Sequence, residues 1–278
     1  MSLSQTEGFD WGNLGRRVVS ATLMVPAALA CIWFGDAFGG APYLLLITLA
    51  VALLAIEWGR MTAPTAPVRV STAVAVAILG AAFLAHLHLT EYAWLGLAVG
   101  GIVAGVVARN VSERPENAAF GVLYLGIAAV CLIWLRAMPQ GVWWTIMVFV
   151  ITWGADIAAF AVGNIVKGPK LWPKFSPNKT WSGFFGGLVA AMTIGALMTR
   201  SAAFELNIAA GALIGLLGGL ATMAGDLCES VLKRRFGVKD SGDLIPGHGG
   251  LLDRVDGLLF AVVVVALARL VNHLGWGH

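Results

Sequence analysis

The sequence predicts an all-α polytopic membrane protein, and three observations lead to that fold class. Hydrophobic residues make up 59% of the 278-residue chain, charged residues only 12%, and the mean hydropathy is +0.83. A soluble domain has about half of its residues apolar and about a quarter charged. Nine charge-poor runs approach the roughly 20 apolar residues that a spanning helix needs. We therefore expect about nine transmembrane helices around a polar cavity that opens to the cytoplasm.

The predicted helices follow one another along the whole chain. Residues 1–15 are polar and are interpreted as a short cytoplasmic tail, after which Arg16 and Arg17 precede the first apolar run. That run has the pattern of a signal peptide, but a second long apolar span follows at once, so we interpret it as a retained first helix. The predicted spans are 17–35, 41–58, 70–89, 92–108, 118–136, 141–163, 182–200, 207–228 and 257–275.

We divide these helices into two parts of one integrated membrane domain. Residues 1–140 hold the N-terminal transmembrane helices, and residues 141–278 form the C-terminal region that carries both polar motifs of the chain. Small residues spaced by four allow close contact between helices in lipid, so the later helices are expected to pack tightly. The glycines with this spacing are Gly183 and Gly187, and Gly211, Gly215 and Gly219.

Basic residues predict the orientation, because they are enriched in cytoplasmic loops. With nine helices, 15 of the 18 basic residues share the side of the N-terminus, and the other side holds only Arg136, Arg200 and Arg269. The N-terminus is therefore predicted in the cytoplasm and the C-terminus outside. Both polar motifs then face the cytoplasm, where nucleoside triphosphates are found.

The segment from Gly225 to Gly257 concentrates acidic and basic residues in a chain that has few of either. If the preceding helix continues to about Phe236, then Asp226, Glu229, Ser230 and Lys233 fall on one helix stripe. Glycines and a proline follow, and they predict a loop whose N–H groups approach an anion closely. Asp253 and Asp256 come next, spaced so that both carboxylates point the same way. Mg²⁺ prefers a few carboxylate oxygens together with phosphate oxygens, so this pattern indicates phosphoryl transfer.

The run from Ser230 to Asp256, SVLKRRFGVKDSGDLIPGHGGLLDRVD, resembles the motif of the phosphatidate cytidylyltransferase (CDP-diglyceride synthase) family. The matching positions are Ser230, Lys233, Arg234, Lys239, Asp240, Gly242, Pro246, His248, Gly249, Gly250, Asp253, Arg254 and Asp256. A second stretch, SPNKTWSGFFGG at 176–187, is similar to that family's SPKKTWEG motif. This chain has Asn178 in place of the lysine and Ser182 in place of the glutamate.

The resemblance implies a transfer from CTP to phosphatidate, giving CDP-diacylglycerol and pyrophosphate. It also implies Mg²⁺, with a second cation left open, and a homodimer in the bilayer of the bacterial inner (cell) membrane; no nucleic-acid partner is expected. The implied catalytic residues are Asp226, Lys233, Asp253 and Asp256. The implied metal ligands are Asp226, Asp253, Asp256 and Asp156, and the implied substrate-binding residues are Ser176, Lys179, Thr180, Ser230, Arg234, Lys239, Asp240, His248, Gly249, Gly250 and Arg254.

Some of these residues also have a simpler interpretation. Anionic headgroups attract juxtamembrane lysines, which explains Lys167, Lys170 and Lys174. For Lys179 and Thr180, at the start of the seventh helix, we prefer phosphate binding with help from free N–H groups. His248 is expected to contact phosphate or base, since the phosphate of the lipid is largely ionised and needs no general base.

Two acids lie within predicted apolar runs, Asp156 inside the sixth and Glu57 at the end of the second. Asp156 matches the family pattern D-x-x-A-[YF]-x-x-G together with Ala159, Phe160 and Gly163. It either holds a metal or a basic partner, or it forms a structural ion pair. Glu57 and Arg60 are expected to form a surface ion pair at the headgroup level.

Two other classes of protein fit less well. The stretch from Asp253 to Gly257 is similar to the D-x-x-D-G of CDP-alcohol phosphotransferases, but Phe260-Ala261 stands where that family has Ala-Arg, and its further paired aspartates are absent. A transporter of anionic solutes would place its charges along helix interiors. Here the charges cluster at one membrane face, which favours the enzyme.

Overall fold

The computed structural model describes residues 25–35, 40–111, 114–201, 204, 206–244 and 249–275. The predicted all-α membrane fold is confirmed. In this part of the chain, eight helices are long and apolar enough to cross a membrane, and a shorter helical segment precedes them. The elements are α1 (25–33), α2 (Ala41–Thr62), α3 (Pro67–His86), α4 (Thr90–Ala108), α5 (Glu116–Ala137), α6 (Gly141–Val166), β1 (Lys170–Trp172), β2 (Ser176–Thr180), α7 (Trp181–Met198), α8 (Ile208–Arg235) and α9 (Leu252–His273).

The helices exceed the predicted spans where polar residues continue them. Helix α2 ends at Thr62 rather than at 58, α8 ends at Arg235 rather than at 228, and α9 begins at Leu252 rather than at 257. The added turns of α8 and α9 carry Lys233 and Asp253, which bond to each other, while in the added turn of α2 the Thr62 hydroxyl donates to the Trp58 carbonyl of the same helix. The first predicted span is helical over 25–33, and its residues before 25 lie outside the described part.

A two-stranded antiparallel hairpin lies between α6 and α7, where no strand was predicted. Lys170 pairs with Thr180, and Trp172 pairs with Ser176. Thr180 ends the hairpin and caps α7, because its Oγ1 accepts a hydrogen bond from the N–H of Gly183 at 3.2 Å. A Thr in this position satisfies one of the free N–H groups of the first turn. The hairpin thereby holds Lys179 beside the start of α7.

Glycines let the helices of the C-terminal region approach closely, as predicted. A Cβ on Gly195 would collide with the carbonyl of Gly211, and a Cβ on Gly215 would collide with that of Ala191, so α7 and α8 are in backbone contact. Between α6 and α7, a Cβ on Gly183 would lie 2.6 Å from the Ala159 oxygen. These contacts confirm the prediction of tight packing.

Helices α8 and α9 cross at Gly225 and Gly257. A Cβ on Gly257 would lie 2.7 Å from Cγ2 of Thr222, and a Cβ on Gly225 would collide with the carbonyl of Asp256. The residue that follows Gly225 is Asp226. The crossing therefore brings the backbones that carry Asp226 and Asp256 together.

The N-terminal helices are fixed to this region through Trp58, which is fully buried. Its Nε1 donates to the carbonyl oxygen of Asn117 at 2.9 Å, and Gly121 leaves the space for its indole ring. On the other side, the ring of Phe236, just after α8, meets the indole edge to face at 5.7 Å. Trp58 therefore positions α2 between α5 and the end of α8.

Both polar motifs lie at one end of the bundle, which we call the motif end: residues 167–180, 236–244 and 249–251. Three basic residues were predicted on the side away from the N-terminus. Two of them, Arg136 and Arg269, form contacts at the end of the bundle opposite the motif end. Arg136 Nε donates to the Ile32 oxygen, and an Arg269 guanidinium N–H donates to the Pro139 oxygen, each at 3.1 Å. In the described part of the chain, the alternation of the helices thus places Arg136 and Arg269 away from the basic residues of the motif end, as predicted.

Candidate active site

An ion pair joins the two polar motifs at the motif end. Lys179, in β2, contacts the carboxylate of Asp226, in α8. Their side chains are 28% and 34% exposed, so the pair lies at an opening rather than in the core. Residues 47 positions apart in sequence therefore form one site.

Two further carboxylates lie near this ion pair. Asp256, in α9, interacts electrostatically with both Asp226 and Asp156, and Lys179 opposes the negative charge. Asp156, in α6, also faces Arg254. The structure therefore brings together Asp156, Asp226 and Asp256, from three different helices, as the sequence suggested.

A second ion pair lies deeper, around Lys233. Its Nζ lies 2.6 Å from Oε2 of Glu229 and 2.6 Å from Oδ1 of Asp253. The continuous helix α8 confirms the predicted stripe, since Glu229 and Lys233 are one turn apart on the same face. Glu229 is 2% exposed and Asp253 is 11% exposed, so the ammonium has partners that are largely withdrawn from solvent. Glu229 also interacts electrostatically with Asp256, which connects this pair to the outer carboxylates.

The other oxygen of Asp253 is bonded as well. Its Oδ2 accepts from the Ser241 N–H at 3.0 Å, the Ser241 Oγ at 2.9 Å and the Gly250 N–H at 3.1 Å. Both oxygens of this carboxylate are therefore engaged by protein groups. Because backbone donors and a lysine fix it, Asp253 holds Lys233 in one position.

Glu57 belongs to the site although the sequence analysis did not assign it there, and the same is true of Ser241. Glu57 is fully buried, and its carboxylate accepts from the Leu251 N–H at 2.6 Å and the Leu252 N–H at 2.7 Å. The predicted surface ion pair with Arg60 is wrong, because Glu57 is fully buried and its carboxylate is bonded to the start of α9. The available signal was an acid inside an apolar run, for which the simpler ion pair was preferred.

This packing explains the two adjacent glycines of the motif, Gly249 and Gly250. A Cβ on Gly250 would collide with Ser241 Oγ and would lie 3.0 Å from both Glu57 oxygens. Gly249 has φ of +81°, in the left-handed region that glycine adopts without a steric penalty. The loop can therefore close on Glu57 and Asp253 only with glycine at both positions.

The start of α7 is held by hydroxyl groups. Thr180 Oγ1 lies 3.0 Å from Ser182 Oγ, and Ser182 in turn donates to the carbonyl of Lys167 at the end of α6. Ser182, which replaces the glutamate of the similar motif, thus ties the end of α6 to α7. The Thr180 hydroxyl is used for capping, while its neighbour Lys179 points to the carboxylates.

The remaining predicted substrate contacts are distributed around the site. Ser230 and Ser176 are half-buried, on α8 and β2 respectively. His248 lies outside the described residues. Four predicted substrate-binding side chains are exposed, along the segment after Lys233 and at the start of α9: Arg234, Lys239, Asp240 and Arg254. No contact with a substrate tests these residues, and their roles stay predictions.

The oxygen donors at this site suit a hard divalent cation only in combination with phosphate. Among the described residues, no three acidic, histidine or cysteine side chains are grouped as a ready metal site. Mg²⁺ typically takes one or two carboxylates together with water and substrate phosphates. Asp226 and Asp256, with Asp156 nearby, provide that kind of donor set.

Comparison with known proteins gives a consistent result across the whole chain. The model of a family described as "Cytidylyltransferase family" matches residues 15–271. A Brucella melitensis protein named phosphatidate cytidylyltransferase is 37% identical over 262 residues, 92% of this chain and 93% of the relative. A Pseudomonas aeruginosa protein of the same name is 34% identical over 276 residues, with 95% and 99% covered. The similarity therefore includes the N-terminal helices as well as both polar motifs.

Proposed function

The chain belongs to the cytidylyltransferase family, and we propose that it is a phosphatidate cytidylyltransferase of phospholipid biosynthesis. It forms CDP-diacylglycerol and pyrophosphate from CTP and phosphatidate. The relatives of this name from Brucella melitensis and Pseudomonas aeruginosa match 92% and 95% of the chain. The observation that carries the proposal is the meeting of both polar motifs at one end of a membrane bundle, where Lys179 contacts Asp226.

The chemistry is an in-line displacement at phosphorus. An oxygen of the phosphatidate phosphate forms a bond to the α-phosphorus of CTP. The bond from that phosphorus to the oxygen bridging toward the β-phosphate breaks, and pyrophosphate leaves with the electron pair. Because two anions must approach each other, the main work of the protein is positioning and charge stabilisation.

Lys179 and Lys233 have different roles in this positioning and charge stabilisation. Lys179 lies at the opening, where it can exchange Asp226 for an oxygen of an incoming phosphate. Lys233 lies deeper and is held by Glu229 and Asp253, so its charge is fixed before the substrate arrives. A fixed charge needs no rearrangement when negative charge shifts in the transition state. We therefore assign Lys233 to transition-state stabilisation and Lys179 to substrate capture.

Asp226 and Asp256 are the proposed ligands of Mg²⁺, with Asp156 in support. When bound, the cation would neutralise phosphate charge and polarise a phosphoryl oxygen. The metal role predicted for Asp253 remains a prediction. The contacts of Asp253 favour a different role, because both of its oxygens are already engaged by Lys233, Ser241 and Gly250.

The lipid substrate is proposed to enter sideways. Asp156 is exposed, and on the same helix Ile157 and Phe160 are 69% and 75% exposed. These apolar side chains lie where the acyl chains of the membrane would contact α6. A phosphate at Asp156 and Lys179 could therefore keep its diacyl chains in the bilayer.

The protein is an integral membrane protein by its eight long apolar helices in the described part. We further propose that the motif end faces the cytoplasm of a bacterial cell, because the basic residues lie there. The homodimer stays a prediction that rests on the family resemblance.

The activity is tested with the purified full-length protein in detergent or vesicles. Phosphatidate and Mg²⁺ are supplied with each nucleoside triphosphate in turn, and both pyrophosphate and CDP-diacylglycerol are measured. We expect turnover with CTP and at most a trace with ATP, GTP or UTP. Equal turnover with all four, or pyrophosphate release that does not need phosphatidate, would contradict the proposal.

A further inference from the structure

Glu57 is far from the polar motifs in sequence but touches the loop that carries them. It lies near the end of α2, and its partners are 184 to 195 residues away. It is 0% exposed, and its donors are two backbone N–H groups and one hydroxyl. A buried carboxylate is costly unless hydrogen bonds compensate it, so these contacts hold both sides in place.

The contacts continue from Glu57 to Lys233 without a gap. Ser241 Oγ lies 3.1 Å from Glu57 Oε2 and 2.9 Å from Asp253 Oδ2, so its single hydroxyl hydrogen is shared between the two carboxylates and bridges them. Asp253 Oδ1 then lies 2.6 Å from Lys233 Nζ. A displacement of Glu57 would therefore reach the ammonium through Ser241 and Asp253.

Glu57 acts on Asp253 by a second route, through the first turn of α9. The N–H groups of Leu251 and Leu252 have no partner within that helix, because the first turn of any helix lacks them. Glu57 accepts from both, and its negative charge also suits the positive end of the helix. Asp253 is the next residue along, so its backbone is fixed by the same carboxylate.

We infer that Glu57 is a positioning residue of the transfer reaction, which fixes Ser241 and the start of α9 so that Asp253 holds the Lys233 ammonium in place. This inference rests on the proposed function. A purely structural role would predict something different: fewer folded molecules, each with normal turnover. The two roles are separated by measuring turnover per folded molecule.

The first experiment compares Glu57→Gln with the matched control Glu91→Gln. A glutamine keeps the shape of the side chain, but its amide nitrogen cannot accept the second backbone N–H. Glu91 is an exposed acid in the first turn of α4 and has no part in the site. For Glu57→Gln we expect kcat per folded molecule to fall about 10-fold or more, with KM for CTP within about 3-fold. Glu91→Gln should stay within about 2-fold of the wild type.

The second experiment asks whether Glu57 acts through Lys233. In the Lys233→Gln background the ammonium is gone, so Glu57→Gln should cost less than about 3-fold more. If Glu57→Gln does not fold, Ser241→Ala replaces Glu57→Gln in both experiments. It breaks the bridge to Asp253 and leaves the two backbone N–H bonds of Glu57, and its kcat loss should likewise shrink in the Lys233→Gln background.

The outcomes distinguish the inference from the proposed function. Multiplicative losses in the double variant, or normal kcat per folded molecule in Glu57→Gln and Ser241→Ala, would overturn the role of Glu57 while CTP turnover by the wild type upholds the enzyme. A wild-type protein that makes no CDP-diacylglycerol would overturn the proposed function and the role of Glu57 with it.

Discussion

Lys233 and Lys170 show at the scale of single residues that not every lysine at the motif end has the same task. Lys233 is held at 2.6 Å by two carboxylates, whereas Lys170 is exposed on β1. A contact made in the transition state is not recovered by adding substrate. The two lysines should therefore differ in kcat and not only in KM.

We predict that Lys233→Gln lowers kcat about 100-fold or more at saturating CTP and phosphatidate. Lys170→Gln should cost at most a few-fold, and this loss should shrink in vesicles richer in anionic lipid. The measurement is steady-state turnover in vesicles of defined composition. Similar defects in the two variants, both relieved by more substrate, would make Lys233 an ordinary member of the basic surface.

Asp226 and Asp253 are expected to differ in their response to metal. Asp226 lies among the outer carboxylates, while Asp253 is bonded to Lys233, Ser241 and Gly250. Asp226→Asn should lower turnover by orders of magnitude and shift the Mg²⁺ titration to higher concentration, with only partial rescue. Asp253→Asn should lower turnover without that shift.

The Mg²⁺ titration of each variant provides the measurement, and Asp243→Asn is the control because Asp243 is an exposed acid of the same loop. A shifted titration for Asp253→Asn would restore its sequence-predicted role as a metal ligand. An unshifted one for Asp226→Asn would remove Asp226 from the proposed metal site.

At the scale of elements, the crossing of α8 and α9 depends on the absence of side chains. A Cβ on Gly257 would lie 2.7 Å from Cγ2 and 3.1 Å from the carbonyl oxygen of Thr222, so the helices would have to separate. Gly80, in α3, has no atom within 4 Å of the same position. The two glycines make a matched pair for testing close packing.

Gly257→Ala should destabilise the protein by about 1–3 kcal/mol through overpacking and should also lower turnover, because Asp226 and Asp256 move apart. Gly80→Ala should be neutral or stabilising by up to about 1 kcal/mol, since Ala favours helix over Gly. Thermal unfolding in one detergent measures both. Equal shifts in the two variants would show that the crossing tolerates a methyl group.

The sequence predicts the positions of the helices better than the ends of α2, α8 and α9 or the hairpin. Apolar runs bounded by Gly, Pro and charge located the helices, because a spanning helix has a fixed length in the bilayer. The ends of α2, α8 and α9 were misplaced, since polar residues there continue the helix; in α8 and α9 these include Lys233 and Asp253, which bond to each other across 20 residues. The hairpin at 170–180 was missed because its strands are short and carry no alternating pattern.

At the scale of the whole molecule, the basic residues predict which end of the bundle faces the cytoplasm. Helix alternation places both polar motifs at the motif end and places Arg136 and Arg269 near the other. By the rule that basic loops stay in the cytoplasm, a reporter fused after His278 should be outside. The test is a pair of fusions, an alkaline phosphatase that is active outside and a fluorescent protein that is bright inside.

Fusions in the loop after Lys239 provide the control, since that loop belongs to the motif end. The reporter pair should give the reverse result there. A cytoplasmic signal from the fusion after His278 would contradict the proposed orientation, because α9 runs from the motif end to the opposite end of the bundle.

The site as a whole was foreseeable only where its residues were close in sequence or matched a family motif. The stripe from Asp226 to Lys233 follows from helical spacing alone. The contact of Lys179 with Asp226 required the hairpin, and that of Glu57 with Leu251 required the packing of Trp58 between α5 and α8. Spacing within one helix is a local property, whereas these contacts depend on the arrangement of several.

The long separation of Glu57 from its partners has a consequence for biosynthesis. The hydrogen-bond donors of Glu57 are made up to 195 residues after it, which at about 5–20 residues per second takes about 10–40 s. Throughout that interval α2 carries an acid whose hydrogen-bond donors have not yet been made, and a buried carboxylate without donors is costly. Nascent chains that stall before α9 would display this acid, giving membrane proteases a means to recognise incomplete molecules. Glu57→Leu should then prolong the half-life of a fragment ending at Gln140 in pulse-chase experiments, while it shortens that of the full chain.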